Sequence, residues 1–181
     1  CEGQMEDMEM AGQRADVPQY IEMIRKKTAM LIGGSLSIGA IAAGASPQEV
    51  ERLYQLGETA GIGFQLHDDY LDVYAPAEKF GKQVGGDILE NKMTFLLIRC
   101  IERANPEQKK RLDHLLYEEQ SPELKIAGVM ALYAELGIKQ ETLSEMDRYF
   151  EAADAIAVEF RGKPGFEMID AFFQSLSKRD H

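Results

Sequence analysis

Cysteine is scarce in this chain: only Cys1 and Cys100 occur in 181 residues. Two thiols are too few for a disulfide framework or a thiolate metal site, and they read as reduced thiols of a cytoplasmic protein. The three histidines, His67, His114 and His181, show no metal-ligand spacing. No charge-free apolar run reaches the eighteen or so residues of a membrane span, so stable membrane insertion is not expected. The longest weakly polar run, 28–46, is rich in Gly, Ala and Ser and reads as a buried helix. No signal-peptide pattern opens the chain. Basic charge is also short, with 20 Lys and Arg against 31 Asp and Glu and a net charge of -11. That balance excludes a general nucleic-acid surface and offers no attraction to anionic lipid. Neither a Walker phosphate loop nor an EF-hand pattern is present.

What remains is an ordinary globular composition, 45% apolar and 28% charged. Its punctuation is that of helices. Ser46-Pro47-Gln48-Glu49 combines an N-cap serine, a proline at the first helical position and a glutamate three residues on, a capping box. Asn105-Pro106-Glu107-Gln108 repeats the device, Ser121-Pro122 gives a third start, and Asp16-Val17-Pro18 a fourth. Gly44 is a stop. Helices are expected over 18–43, 47–74, 92–104, 106–118, 122–136, 140–160 and 165–178. No alternating strand pattern competes, so the fold class is all-α, read as one domain over 1–181. The single long irregular piece, 75–91, holds Pro76, Gly81, Gly85 and Gly86, and a loop that long is often functional.

The 47–74 segment carries the strongest chemical signal. At about 100° per residue, Gln65, Asp68, Asp69 and Asp72 share one stripe. Its flanks are apolar: Ile62, Leu66, Tyr70 and Val73 on one side, Phe64 and Leu71 on the other. A helix apolar nearly all round is buried, so the stripe must face a polar cavity. Carboxylates about 6 Å apart there would repel by roughly 2–3 kcal/mol per pair. A cation is therefore expected, and clustered carboxylates suit hard oxygen-seeking ions, magnesium above all. Gly61, one turn before Gln65, would leave room for a ligand against the backbone. The bland alternative is a solvated acidic helix end, where the like-charge penalty is only about 0.2–0.5 kcal/mol. His67 falls off the stripe and suits packing or hydrogen bonding. Met5, Met8 and Met10 read as core filler.

Gly-x-Gly-Phe-Gln-x-x-Asp-Asp-x-x-Asp over 61–72 resembles the second aspartate-rich motif of trans-isoprenyl diphosphate synthases, and the likeness extends over essentially the whole chain. Glu2-Gly3-Gln4 resembles the family's Gly-Gln segment ahead of an acidic helix. Arg25-Lys26-Lys27-Thr28 taken alone is a solvated basic cluster. The resemblance implies instead that Lys27 reaches the allylic diphosphate and that Thr28 lies beside the reacting carbons. In Phe80-Gly-Lys-Gln-Val-Gly-Gly-Asp-Ile-Leu-Glu-Asn-Lys92, it implies that Lys82 and Lys92 bind diphosphate and that Asp87 lies near the metal site. Lys178 and Arg179 would cap the second substrate site, or simply form a charged terminus.

By the same resemblance the fold is an isoprenoid synthase helical bundle and the cofactor is Mg2+. The substrates are an allylic diphosphate and isopentenyl diphosphate, and the assembly is a homodimer. The implied reaction ionises the allylic diphosphate, adds the isopentenyl double bond to the cation and loses a proton, with pyrophosphate as the base. The catalytic set is Lys27, Thr28, Gln65 and Asp68. The diphosphate ligands are Lys27, Gln65, Lys82 and Lys92, and the metal residues Asp68, Asp69 and Asp72, with Asp69 orienting a water or a lysine. The family carries two aspartate-rich motifs, whereas no adjacent Asp pair precedes Ser46 here. The chain, starting at Cys1, thus reads as the C-terminal portion of a larger synthase and as an inactive half-site. The rivals are a terpene cyclase of the same fold and a non-catalytic subunit of a heteromeric synthase. The lysine pattern disfavours the first and the retained aspartates the second. A His-Asp metal phosphohydrolase fails for want of histidines.

Overall fold

In a computed structural model, residues 1–10, 14–75 and 84–177 are described, and they contain helices and turns but no strand. In chain order the helices are α1 (Glu2–Met10), α2 (Val17–Ile24), a π-helical turn (Arg25–Ala29), α3 (Met30–Ala42), α4 (Pro47–Tyr74), α5 (Gly86–Leu89), α6 (Phe95–Arg103), α7 (Pro106–Tyr117), α8 (Pro122–Glu135), α9 (Ile138–Ala157), a 3-10 turn (Val158–Phe160) and α10 (Phe166–Ser177). Among the described residues no helix is long and apolar enough to cross a membrane.

The expected starts are made by the expected side chains. The Ser46 backbone N–H donates to Glu49 Oε2 at 2.8 Å and the Glu49 N–H to Ser46 Oγ at 3.3 Å. Asn105 and Gln108 form the same reciprocal box at the head of α7, as do Asp16 and Gln19 ahead of α2. Ser121 Oγ accepts from the Leu124 N–H at 3.3 Å. Gly44 closes the segment after α3 at φ 75°.

Four expectations change. The 18–43 helix is interrupted by the π turn over Arg25–Ala29. The 92–104 helix starts only at Phe95, because extended Thr94 caps it by accepting from the Leu97 N–H. The irregular 75–91 piece contains α5, entered through Gly85 at φ 82°. Glu2-Gly3-Gln4 lies within α1 rather than ahead of a helix.

Two compact units are distinguished. One comprises the described parts of Cys1–Gln4, Ile21–Gln65 and Glu145–His181, the other those of Met5–Tyr20 and Leu66–Ser144. Helices α1, α2, α4 and α9 each contribute residues to both. The first unit has a core of Leu56, Ala60, Ala153, Ala157, Phe160 and Phe166, where burying each Leu or Phe contributes about 1.5–3 kcal/mol. Its helices approach closely at small residues. A Cβ on Gly57 would stand 2.7 Å from Gly33 Cα, and one on Gly3 would stand 2.3 Å from the Lys27 backbone nitrogen. The 28–46 run is therefore buried on one side only. Gly33 and Ala40 face inward, while Leu31, Ile38 and Ile41 are exposed. Met5 and Met8 are likewise exposed and Met10 is half-buried, while Gly3 is the buried residue of α1. In the second unit Leu66, Leu96, Ile98, Leu112, Leu132, Tyr133 and Ile138 are all but inaccessible, and α7 meets α8 where Leu115 lies over Gly128.

Candidate active site

Of the apolar flanks expected of α4, Ile62, Leu66, Tyr70, Leu71 and Val73 are buried and Phe64 half-buried, and His67 is buried as well. The stripe between them gives each aspartate a different environment. Asp68 is exposed and Asp72 half-buried, whereas Asp69 is only 2% exposed. A buried carboxylate needs partners, and Tyr20 and Lys92 are among those of Asp69. The Tyr20 hydroxyl donates to its Oδ2 at 2.7 Å, and Lys92 Nζ lies 3.6 Å from its Oδ1. Burial, followed by the neighbouring Asp69 charge, pushes the Tyr20 phenol well above its ordinary value, so it remains a protonated donor.

Asp72 organises the turn that follows. Its backbone carbonyl accepts from the Gly85 N–H at 2.7 Å, and its Oδ2 accepts from the Asp87 N–H at 2.9 Å. Gly86 sits so close that a Cβ there would be 3.3 Å from Asp72 Oδ1. Lys92 returns over the turn and donates to Asp87 at 3.1 and 3.2 Å. Burial lowers the Lys92 pKa, but Asp69 and Asp87 outweigh it and leave the ammonium more firmly protonated than usual. The cation that the acidic stripe demanded is thus supplied in part by the chain itself.

In the first unit, Thr28 Oγ1 donates to Gln65 Oε1 at 3.0 Å. Thr28 and Lys27 lie on the π turn, and such insertions recur at functional positions. Arg25 is engaged with Glu22 and Glu58 at 2.7 and 2.8 Å. Gly61 does not border ligand space. A Cβ there would meet Ala29 Cα at 2.7 Å, so the missing side chain admits the π turn against α4. Lys82, Lys178 and Arg179 lie outside the described residues. Sequence reasoning missed Tyr20. The available signal was a tyrosine seven residues ahead of the Lys-Thr pair on a helical spacing.

A polyprenyl synthetase family model matches residues 1–133. The chain belongs to the polyprenyl synthetase family. A short chain isoprenyl diphosphate synthase of Methanothermobacter thermautotrophicus is 48% identical over 118 residues, 64% of this chain and 36% of that protein. A crystal structure of a geranylgeranyl pyrophosphate synthase superposes with a TM-score of 0.87 at 35% identity, covering 100% of this chain and 57% of that one. The geranylgeranyl pyrophosphate synthetase of Pyrococcus horikoshii gives 0.88 at 26% identity, over 99% and 55%. The chain therefore spans little more than half the length of these synthases. These relatives give the chain an isoprenoid-synthase helical fold.

Among the described residues no three Asp, Glu, His or Cys side chains converge as a metal-binding group. Magnesium does not require such a cluster, because it takes one or two carboxylates and completes its shell with water and substrate phosphate oxygens. Exposed Asp68 and half-buried Asp72, one turn apart on α4, fit that donor set.

Proposed function

We propose that this polyprenyl synthetase chain forms the diphosphate-binding half of a site that condenses an allylic diphosphate with isopentenyl diphosphate. The observation that carries the reading is the arrangement on α4: an exposed Asp68, a half-buried Asp72, and a buried Asp69 paired with Lys92. Asp68 and Asp72 would hold Mg2+ by their carboxylate oxygens, and Asp69 would orient Lys92. The ion supplies Lewis acidity to the departing pyrophosphate when bound.

The chain's own residues have separable tasks. Lys92 and Lys82 bind phosphate oxygens and so counter the negative charge that develops there. Lys27 binds the allylic diphosphate, and Thr28, hydrogen-bonded to Gln65, lies beside the carbocation. Asp87 steadies Lys92 in the absence of substrate. No His or Glu lies on the stripe, which fits pyrophosphate itself as the base that takes the proton. The chain alone turns over negligibly, because only one aspartate-rich motif is present.

The test is a titration of the chain with pyrophosphate in the presence of magnesium, followed by calorimetry. Saturable magnesium-dependent binding is expected, with a loss of about 10–100-fold in Asp68→Ala, the order of effect for weakening the hold on the bridging metal. The same chain is then incubated with magnesium, labelled isopentenyl diphosphate and primers of five to fifteen carbons, and no incorporation is expected. Absence of pyrophosphate binding by the folded chain overturns the diphosphate reading, and prenyl products at ordinary enzyme rates overturn the half-site.

A further inference from the structure

Lys125, on α8, is a buried lysine that neither the aspartate motif nor the lysine pattern assigns. It is only 8% exposed. Its ammonium donates to two backbone carbonyls, Leu89 O and Leu116 O, each at 3.2 Å. These carbonyls stand at the C-terminal ends of α5 and α7, where the last turn of a helix leaves acceptors unsatisfied and the dipole favours a cation. Among the described residues no carboxylate contact accompanies them. Burial alone lowers the pKa of the ammonium. A methionine of similar length would fill the same volume without that desolvation cost, so packing does not account for a lysine here.

The carbonyls it joins belong to different parts of the second unit. Leu89 closes the turn that presents Asp87 and Lys92, and Leu116 lies in the last turn of α7. A second strut runs alongside: Asn91 Nδ2 donates to the same Leu116 carbonyl at 3.2 Å. Asn91 is the only described non-glycine residue with positive φ, 54°. It immediately precedes Lys92, so its left-handed backbone sets the direction from which the Lys92 side chain departs. On the other side the turn is held by the Gly85 and Asp87 amides on Asp72, and by Ile126, which leaves 3.0 Å for a Cβ on Gly85.

We infer that Lys125 is a positioning residue: its ammonium ties the turn bearing Asp87 and Lys92 to the end of α7 and so fixes where Lys92 is presented. It touches neither Lys92 nor the aspartates and acts only through the backbone of the turn. The consequence for ligand binding rests on the diphosphate reading of that turn, but the tether itself does not.

The experiment compares amide hydrogen exchange of the whole chain with that of Lys125→Met, residue by residue by NMR. The Gly85 and Asp87 amides are expected to exchange about 10-fold faster in the variant, the equivalent of one lost hydrogen bond. Core amides such as Ile98 should be unchanged. Equal exchange at Gly85 and Asp87 overturns the inference. A uniform rise across the chain also overturns it, since that marks Lys125 as a stabilising residue only. If Lys125→Met fails to fold, Lys125→Gln, whose shorter side chain carries an uncharged amide, decides on the same amides. Magnesium-pyrophosphate affinity, measured on both proteins, separates the two readings. Weaker binding in the variant supports positioning of Lys92. Failure of the unmodified chain to bind removes the diphosphate reading and leaves the exchange data to decide the tether.

Discussion

At the scale of single residues, the chain uses two kinds of glycine that look alike in the sequence. Gly61 faces the π turn, and an added Cβ would lie 2.7 Å from Ala29 Cα and 3.0 Å from Ala29 Cβ. Neither can swing aside, because the Cα is backbone and the Cβ is bonded directly to it. Gly61→Ala should therefore destabilise by about 1–3 kcal/mol, the usual range for overpacking. Gly39, also helical, has nothing within 4 Å of the same added atom. Gly39→Ala should stabilise by about 0.5–1 kcal/mol through the helix preference of alanine. Urea midpoints of the two variants, taken side by side, give opposite signs if the packing described for the π turn is right. The same pair shows what one sequence conceals. Helical spacing put Gly61 on the acidic stripe, but spacing says nothing of which neighbouring backbone fills the space. Asp69 shows it too. The period placed it with Asp68 and Asp72, while its burial against Tyr20 and Lys92 depends on residues 49 and 23 positions away in the chain.

At the scale of elements, helix starts were legible because their signals are local. Ser46, Asn105 and Ser121 each need only the next three residues to form a cap. The π turn and α5 were not legible, since their geometry is imposed by partners far along the chain: Gly3 and Gly61 for the first, Asp72 and Lys125 for the second. The head of α4 carries a further consequence. Glu49 belongs to the Ser46 box and also pairs with Lys163. The Lys163 hydrogen bond, followed by those from Ser46, holds its carboxyl down to about 2, below the ordinary carboxylate range. Its unfolded value is the higher of the two, so the stabilisation is complete above the ordinary carboxylate range and is lost as pH falls toward 2. Glu49→Gln should flatten that part of the acid limb by removing the small stabilisation that the charged carboxylate gives at neutral pH, as scans from pH 7 to 2 would show. An unaltered acid limb in the variant would show that the pair contributes nothing in solution, as many exposed pairs do not.

At the scale of the molecule, the two thiols report on opposite surroundings. Cys1 is exposed. Cys100, on α6 within the second unit, has no accessible surface, and burial, with a smaller effect of Glu135, pushes its thiol up to about 12. The thiolate is the reactive form, so at pH 8 the folded chain presents almost none at Cys100, and a reagent could not reach it in any case. One thiol equivalent should react rapidly with a chromogenic disulfide under native conditions, and the second only as the second unit opens. Adding urea should bring the slow equivalent in along the same curve as loss of helical signal. If the slow thiol reacts well before helicity falls, α6 opens independently of the rest of its unit, and exchange at the Ile98 amide should then be fast as well. If it never lags, Cys100 is not in the core that Leu96, Ile98 and Tyr133 define. Because α6 directly follows Lys92 in the chain, the same curve also measures how firmly the second unit anchors the turn on which the diphosphate reading depends.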